Sequence, residues 1–222
     1  MKKILFAVMA LFLIGTTVTY AQKTTDEIRK EMNKKASKDA RKEAKRLKKE
    51  GWEVAPGALP IDKQLDRAYM MQYDISDSGL PKYVMGEAMS VGEHYDAAKM
   101  QALQLAKQNL AGGIQTEVSA LVEGLVSNKQ LTAGEAASLS ETTMSSKALI
   151  TQNLGRIITV AEMYRTAENG NKEVLVRIAY NSELAIEAAK NAIRQNMKAK
   201  GDDLSGKLDA ILERMVRDSM SN

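Results

Sequence analysis

The sequence predicts a two-layer α+β fold, in which long helices cover a small, largely antiparallel sheet of three strands and a basic helical arm precedes the domain. Two observations predict the sheet. A strand-like run, Lys82 to Val91, leads directly into a long Ala- and Leu-rich stretch, Tyr95 to Val126. Farther along, two alternating runs flank Asn169-Gly170, a pair typical of tight hairpin turns because both residues tolerate positive φ. An all-helical bundle with one stray hairpin is the alternative architecture.

The first strand places large and small residues on opposite faces. The large set is Tyr83, Met85, Met89 and Val91, and the small set is Gly86, Ala88 and Ser90. The small face is flat enough for a closely packed helix. The next stretch supplies one, with apolar residues at every third or fourth position: Leu103, Ala106, Leu110, Ile114, Val118, Leu121 and Leu125.

The hairpin is predicted between Gly155 and Tyr180. In its first strand Ile158, Val160 and Tyr164 alternate with Thr159, Ala161 and Met163, and in its second Val174, Val176, Ile178 and Tyr180 alternate with Leu175, Arg177 and Ala179. Strict alternation assigns each set to one face of the sheet, so aspartate at Ile158 or Val176 is expected to bury an unpaired charge.

Two helices complete the predicted domain. The sequence Thr132-x-x-Glu135 is a capping box that begins a helix from about Ala133 to Leu149. Ser182 caps a second helix that runs to about Lys200.

The first 21 residues have the pattern of an export signal. Lys2 and Lys3 precede an apolar run of 11 residues, Ile4 to Ile14, and cleavage is predicted between Ala21 and Gln22. The apolar run is short of the ~20 residues that a membrane-spanning helix needs. The residue after the predicted cleavage point is Gln, so no lipid-bearing cysteine is available there.

A basic arm follows the signal. Residues 24–50 contain eleven Lys or Arg against six Asp or Glu, a net charge of +5, whereas residues 51–222 contain 18 against 22, a net of −4. The apolar positions of this predicted helix are mostly alanines, a stripe that we expect to be too thin to hold the helix firmly. The candidate surface-binding residues are Lys34, Lys35, Lys38, Arg41, Lys42, Lys45, Arg46, Lys48 and Lys49.

The arm has three possible roles. They are a surface-binding element for anionic envelope material, a solvated helix, and a clamp that folds back on the acidic domain. Nucleic acid is not an expected partner, because an exported protein leaves the cytoplasm and no aromatic residues are interleaved with the charges.

These features divide the chain into five segments. They are the signal peptide (1–21), the basic helical arm (22–50), a linker with a short helix (51–81), the α+β core domain (82–200) and a C-terminal amphipathic helix (201–222). Trp52, the only tryptophan, is expected to dock the linker on the core.

The composition leaves little equipment for catalysis. The chain has no Cys and one His, His94, which removes thiol nucleophiles, zinc-thiolate sites and His-based triads. No catalytic, cofactor-binding or metal-ligating residue is predicted. The alternative is a hydrolase built on two carboxylates, for which Glu87, Glu93 and Asp96 are the candidates if they line a pocket with a carboxylate partner.

The order of strand, Ala-rich helix, hairpin and helix, over roughly residues 82–195, resembles a known family. It is the LPP-twenty family, named after a bacterial outer-membrane lipoprotein, whose module is also similar to the N-terminal part of flagellar assembly protein T. The residues that carry the resemblance are Gly86-Glu87-Ala88, Ala98, Ala102, Ala106, Asn109-Leu110-Ala111, Ile114, Val118 and the hairpin Ile157 to Tyr180. The family's usual lipidated Cys is missing here. The resemblance implies an envelope protein without known catalysis, and it supplies no active-site residues.

The sequence therefore predicts an exported bacterial envelope protein with a non-enzymatic binding or structural role. Its expected location is the periplasm or the exterior, with peripheral contact at the outer membrane. Its expected partner is an envelope protein or an anionic envelope surface, and its oligomeric state is left open.

Overall fold

The computed structural model describes residues 25–76, 81–127 and 132–200. The signal segment with its predicted cleavage point at Ala21 and Gln22, residues 77–80, residues 128–131 and the C-terminal segment 201–222 lie outside these residues. In chain order the elements are α1 (Thr25–Lys49), α2 (Ile61–Gln72), β1 (Tyr83–Gly92), α3 (Tyr95–Ser127), α4 (Ala133–Met144), α5 (Lys147–Asn153), β2 (Ile158–Thr166), β3 (Lys172–Asn181) and α6 (Ser182–Lys200).

The three strands form an antiparallel sheet in the order β1-β3-β2, which confirms the predicted α+β class. β3 lies in the centre and pairs with β1 from Tyr83 opposite Asn181 to Gly92 opposite Lys172. The hairpin turn between β2 and β3 contains Gly170 at φ 84°, the positive value that favours glycine.

The flat face of β1 packs against α3 as the sequence predicts. Gly86 makes the closest approach, because a Cβ built on it would lie 2.6 Å from the Ala106 carbonyl oxygen and 2.8 Å from Leu110 Cβ. Leu110, Ile178 and Ile193 of α6 are buried in the same cluster. This face of the sheet, together with α3 and α6, holds the larger of the hydrophobic cores.

The second face of the sheet is covered as well, which extends the predicted two layers to three. Leu65 of α2 and Met163 of β2 are fully buried in a cluster with Trp52, so the linker docks on the core as expected. α1 packs on α2 and closes this cluster from outside. Its buried residues are Ala36, Ala40, Ala44 and Leu47, each at most 3% exposed.

The expectation that an alanine stripe is too thin to hold α1 is therefore wrong. Alanine side chains are short, so the axis of α1 can approach α2 closely and each small residue is fully covered. Long-range polar contacts also join α1 to the body. Glu43 of α1 reaches Arg177 of the central strand, and Tyr73 donates a hydrogen bond to Asp39.

A β-bulge overturns the predicted assignment of faces in β2. Pairing with β3 moves from Thr159 opposite Ile178 to Ala161 opposite Arg177, which leaves one residue unpaired. Ile158 and Val160 consequently pack with Ala179 on the α2 side, whereas Tyr164 joins the α3 cluster. Strict alternation had placed all three on one face.

The predicted helix from Ala133 to Leu149 is divided in two. Its capping box is confirmed, since Thr132 Oγ1 accepts from the Glu135 amide and Glu135 Oε2 accepts from the Thr132 amide. The division follows Met144, where Ser146 Oγ donates to the Thr142 carbonyl at 2.6 Å and Asn196 of α6 donates to the same oxygen at 3.1 Å. Serine hydroxyls that bond nearby carbonyls compete with the helical pattern.

The outer strands have polar partners on their free sides. Glu53 exchanges two backbone hydrogen bonds with Tyr164 of β2, at 2.7 and 2.8 Å, and Gln64 Oε1 accepts from the Glu162 amide at 2.6 Å. On the opposite edge, Asn109 Nδ2 donates to the Glu87 carbonyl of β1 at 2.9 Å. Such contacts protect edge strands from pairing with other chains.

Candidate surface-binding face

The nine cations that the sequence singles out all have exposed side chains on α1. They are Lys34, Lys35, Lys38, Arg41, Lys42, Lys45, Arg46, Lys48 and Lys49. The buried residues of α1, Ala36 to Leu47, occupy the opposite side of the helix. The exposed cations recur every three or four residues, so they form a line along the helix. From Lys34 to Lys49 this line is about 22 Å long at the α-helical rise of ~1.5 Å per residue.

Both carboxylates of α1 between Lys34 and Lys49 are turned toward the body of the protein. Tyr73 of α2 donates to Asp39 Oδ2 at 3.4 Å, and Glu43 binds the Arg177 guanidinium at 3.3 and 3.4 Å. The negative charges between Lys34 and Lys49 are thereby removed from the outer side of the helix, whereas Glu31, one turn before Lys34, is exposed. The exposed line is more strongly positive than the net charge of the segment indicates.

Some of the nine cations already have partners. Arg46 pairs with Glu50 at 2.9 Å, and Lys48 pairs with Asp62 at 3.0 Å. The Lys48 hydrogen bond lowers the pKa of the Asp62 carboxyl. The Lys35 ammonium lies 5.3 Å from the centre of the Tyr73 ring. These contacts reduce the charge that Lys35, Arg46 and Lys48 can offer to a ligand.

The other six cations form what we call the basic face. Within the described part of the chain, no ion pair involves any of them. Arg41 Nε donates to the Ser37 carbonyl at 2.9 Å, which leaves its charge uncompensated. The basic face consists of Lys34, Lys38, Arg41, Lys42, Lys45 and Lys49.

Arg177 connects this helix to the sheet, a role that its place in the alternating hairpin pattern did not predict. It is only 9% exposed, its Nε lies 2.5 Å from Glu87 Oε2, and its guanidinium carbon lies 5.6 Å from the centre of the Tyr69 ring. Burial alone would lower the pKa of Arg177, but the charges of Glu87 and Glu43 outweigh burial and raise it. The available signal was an arginine inside an otherwise apolar strand, Val174 to Tyr180.

The candidates for a carboxylate-based hydrolase are separated from the pocket of the described structure. Glu87 is bound to Arg177, and Glu93 and Asp96 are exposed at the start of α3. The pocket encloses ≈ 210 Å³ and contains a single carboxylate, that of Glu162. It is lined by Ala55, Ala58, Leu59, Gln64, Arg67, Thr159, Val160, Ala161 and Glu162.

Glu162 belongs to a polar cluster that was not predicted. Its Oε1 accepts a hydrogen bond from the Tyr95 hydroxyl and lies 2.8 Å from the Lys99 ammonium. Burial and the hydrogen bond to Glu162 raise the pKa of Tyr95, so this hydroxyl stays protonated near neutral pH. The cluster joins α3 to β2 through the Oε1 atom of Glu162. Among the described residues, no group of three or more His, Cys, Asp or Glu is arranged to hold a metal ion.

Two further findings bear on the setting of the site. None of the helices in the described ranges combines the length and the apolar character needed to cross a membrane. No family model, curated protein or solved structure matches the chain.

Proposed function

We propose that this protein is an exported, non-enzymatic component of the bacterial envelope that attaches to an anionic surface through its basic face. One observation carries the proposal. Among the described residues, six cations without ion pairs stand in a line on the exposed side of a packed helix, and the two carboxylates within the stretch from Lys34 to Lys49 face inward. The export pattern of residues 1–21 and the resemblance to the LPP-twenty family support the envelope as the location.

The residue types favour attraction by charge density. Five of the six are lysines, whose ammonium groups are mobile point charges, whereas arginine provides a planar fork for a specific phosphate or carboxylate. A basic residue near a strongly anionic membrane contributes about 1 kcal/mol, and its attraction fades over a Debye length of ~8 Å at physiological salt. The proposed contact is therefore weak at each residue, additive over the face and sensitive to salt.

The docking of α1 separates this role from that of an intramolecular clamp. A clamp in which the arm binds the acidic domain would direct the lysines of the arm toward carboxylates of the body. The principal ion pair has the opposite polarity, because the arm supplies Glu43 and the body supplies Arg177. Among the ion pairs of the described residues, that of Lys48 with Asp62 follows the clamp pattern. Docking thus leaves the basic face available.

Charge substitutions are a sharper test than deletion of residues 22–50, because deletion would uncover the α2 side of the core. The test variant is Lys38→Gln, Lys42→Gln and Lys45→Gln in the chain that starts at Gln22. The control removes the same charge from three exposed cations elsewhere, by Lys147→Gln, Arg156→Gln and Lys198→Gln.

Sedimentation with vesicles of phosphatidylglycerol and phosphatidylcholine provides the measurement. The wild type and the control are expected to sediment at low salt and to be released at high salt, and the test variant is expected to stay in solution. Equal sedimentation of the two variants would show that net charge, and not the basic face, drives the interaction. Equal binding to pure phosphatidylcholine would contradict an electrostatic contact.

A further inference from the structure

We infer that the basic face binds the phosphate groups of an anionic phospholipid bilayer while α1 stays docked on the domain, with no apolar side chain inserted into the bilayer. This inference rests on the proposed function and adds the ligand and the mode of contact. The other mode is that of an interfacial amphipathic helix, which buries a free apolar face below the headgroups.

The apolar side of α1 is already in use. Ala36 and Ala40 are 0% exposed, and Ala44 and Leu47 are 3% and 2% exposed. These four are the apolar residues between Lys34 and Lys49, so this stretch of a released helix would offer the bilayer three methyl groups and one leucine. Ile28 and Met32 of α1 lie before it. Because apolar transfer scales with area, this set gives little drive for insertion.

Release of α1 would also break polar contacts that hold the body together. Arg177 would lose Glu43 and keep only Glu87, at a position where its side chain is almost fully covered. Removing one partner of a buried ion pair is strongly unfavourable. Docked binding leaves these contacts intact.

The shape of the face favours an extended array of phosphates over a single bound anion. Lys38, Lys42 and Lys45 project from the convex side of a helix, and a pocket at Glu162 and Arg67 is lined by no residue of α1. Lys34 and Lys49 are about 22 Å apart along the helix, so a single phosphate cannot contact the whole basic face. A bilayer instead presents a plane of headgroups to the full length of about 22 Å.

Trp52 provides a direct readout of this mode. It is the only tryptophan, it follows α1 by three residues, and it is 5% exposed in the cluster that also contains Ala44 and Leu47. If the end of α1 leaves the domain, the surroundings of the indole change. Unfolding the protein in urea gives the emission of the uncovered indole for reference.

The experiment records Trp52 emission during titration with phosphatidylglycerol vesicles whose acyl chains carry bromine, while sedimentation is measured on the same samples. The expected result is sedimentation with an unchanged emission maximum and no quenching. Sedimentation with a shifted maximum or with quenching would overturn docked binding and leave the proposed function intact. Absence of sedimentation would overturn both.

A second arm separates a bilayer from a single phosphate. Inorganic phosphate and sodium chloride are compared as releasing agents at matched ionic strength. Equal release is expected, because both salts act by screening. Release by phosphate at several-fold lower ionic strength would reveal a discrete anion site and would overturn the inference.

Discussion

The Nη2 atom of Arg177 in β3 lies 3.3 Å from Oε1 of Glu43 in α1. The same guanidinium binds Glu87 of β1, so one side chain connects the central strand, an outer strand and the basic helix. The two carboxylates differ in their surroundings, since the Glu43 side chain is 15% exposed and the Glu87 side chain is 45% exposed. Arg177 therefore connects α1 to the sheet beneath α2 and holds Glu43 on the inner side of the helix.

Replacing Arg177 with methionine is expected to lower the free energy of unfolding by about 2–4 kcal/mol, because the largely covered Glu43 carboxylate loses its nearest cation and keeps the more exposed Arg46 at 3.6 Å. Because water can reach Glu87, the expected loss of stability is smaller than for three fully buried charged groups. Urea denaturation provides the measurement. Arg46→Met is the control, and it should change stability by about 0.5 kcal/mol or less, since the Arg46 side chain is 58% exposed. Equal effects of the two substitutions would contradict a structural role for Arg177.

Gly86→Ala is expected to destabilise the protein by about 2–3 kcal/mol, because the added methyl group meets a backbone oxygen of α3 that cannot move without the helix. Gly113→Ala in α3 is the matched control. A Cβ at Gly113 meets no atom within 4 Å, so this substitution should stabilise the helix by up to ~1 kcal/mol. Opposite signs in thermal or urea unfolding would confirm the close contact of β1 and α3. If Gly86→Ala stabilises the protein as Gly113→Ala does, then β1 and α3 are not in close contact at Gly86.

Stability is expected to fall at alkaline pH through Tyr69. Burial, together with the hydrogen bond to Glu43 and the charge of Glu43, raises the pKa of Tyr69 from 10.0 to about 12. A pKa that is higher in the folded state contributes stability that is complete below pH 10.0 and is lost as the pH rises through about 12. Tyr69→Phe should therefore make unfolding free energy less dependent on pH in this window. Parallel curves for the variant and the wild type would contradict this assignment.

Aspartate substitutions test the faces that the bulge creates. Val176 is 1% exposed in the core beneath α3, so Val176→Asp should cost at least about 4 kcal/mol or prevent folding. Ile158 is only partly buried and lies on the α2 side, so Ile158→Asp should cost about 1–2 kcal/mol. Circular dichroism during urea unfolding distinguishes them. A larger loss of stability for Ile158→Asp than for Val176→Asp would contradict the assignment of the main core to the α3 side of the sheet.

Local patterns in the sequence were sufficient for much of the fold. The hairpin turn depends on Asn169-Gly170, and the capping box depends on Thr132 and Glu135, so each is determined by residues that are close in sequence. The fit between β1 and α3 was also predictable, because Gly86 leaves a flat place on the strand. In each case the decisive residues belong to one element or to two consecutive ones.

The third layer was harder to predict because its contacts are distant in sequence. Arg177 and Glu43 are 134 residues apart, and neither belongs to a motif. The alanines of α1 carry a weak hydrophobic signal beside eleven basic residues in the same segment. The bulge in β2 changes the face of Ile158 without any glycine to mark it. The six cations of the basic face are among the nine that the sequence singles out. The inward orientation of Asp39 and Glu43 could not be predicted, because it depends on how α1 packs against the rest of the protein.

The partners of the two outer strands have a consequence for the proposed attachment to a surface. Copies that bind the same surface come close to one another. Unprotected edge strands can then pair between copies and form insoluble fibrils. In this protein, a strand of another copy would have to displace Glu53 and Gln64 at one edge of the sheet, or the side-chain amide of Asn109 at the other edge. The protein can therefore reach a high concentration on a surface without forming fibrils through its edge strands.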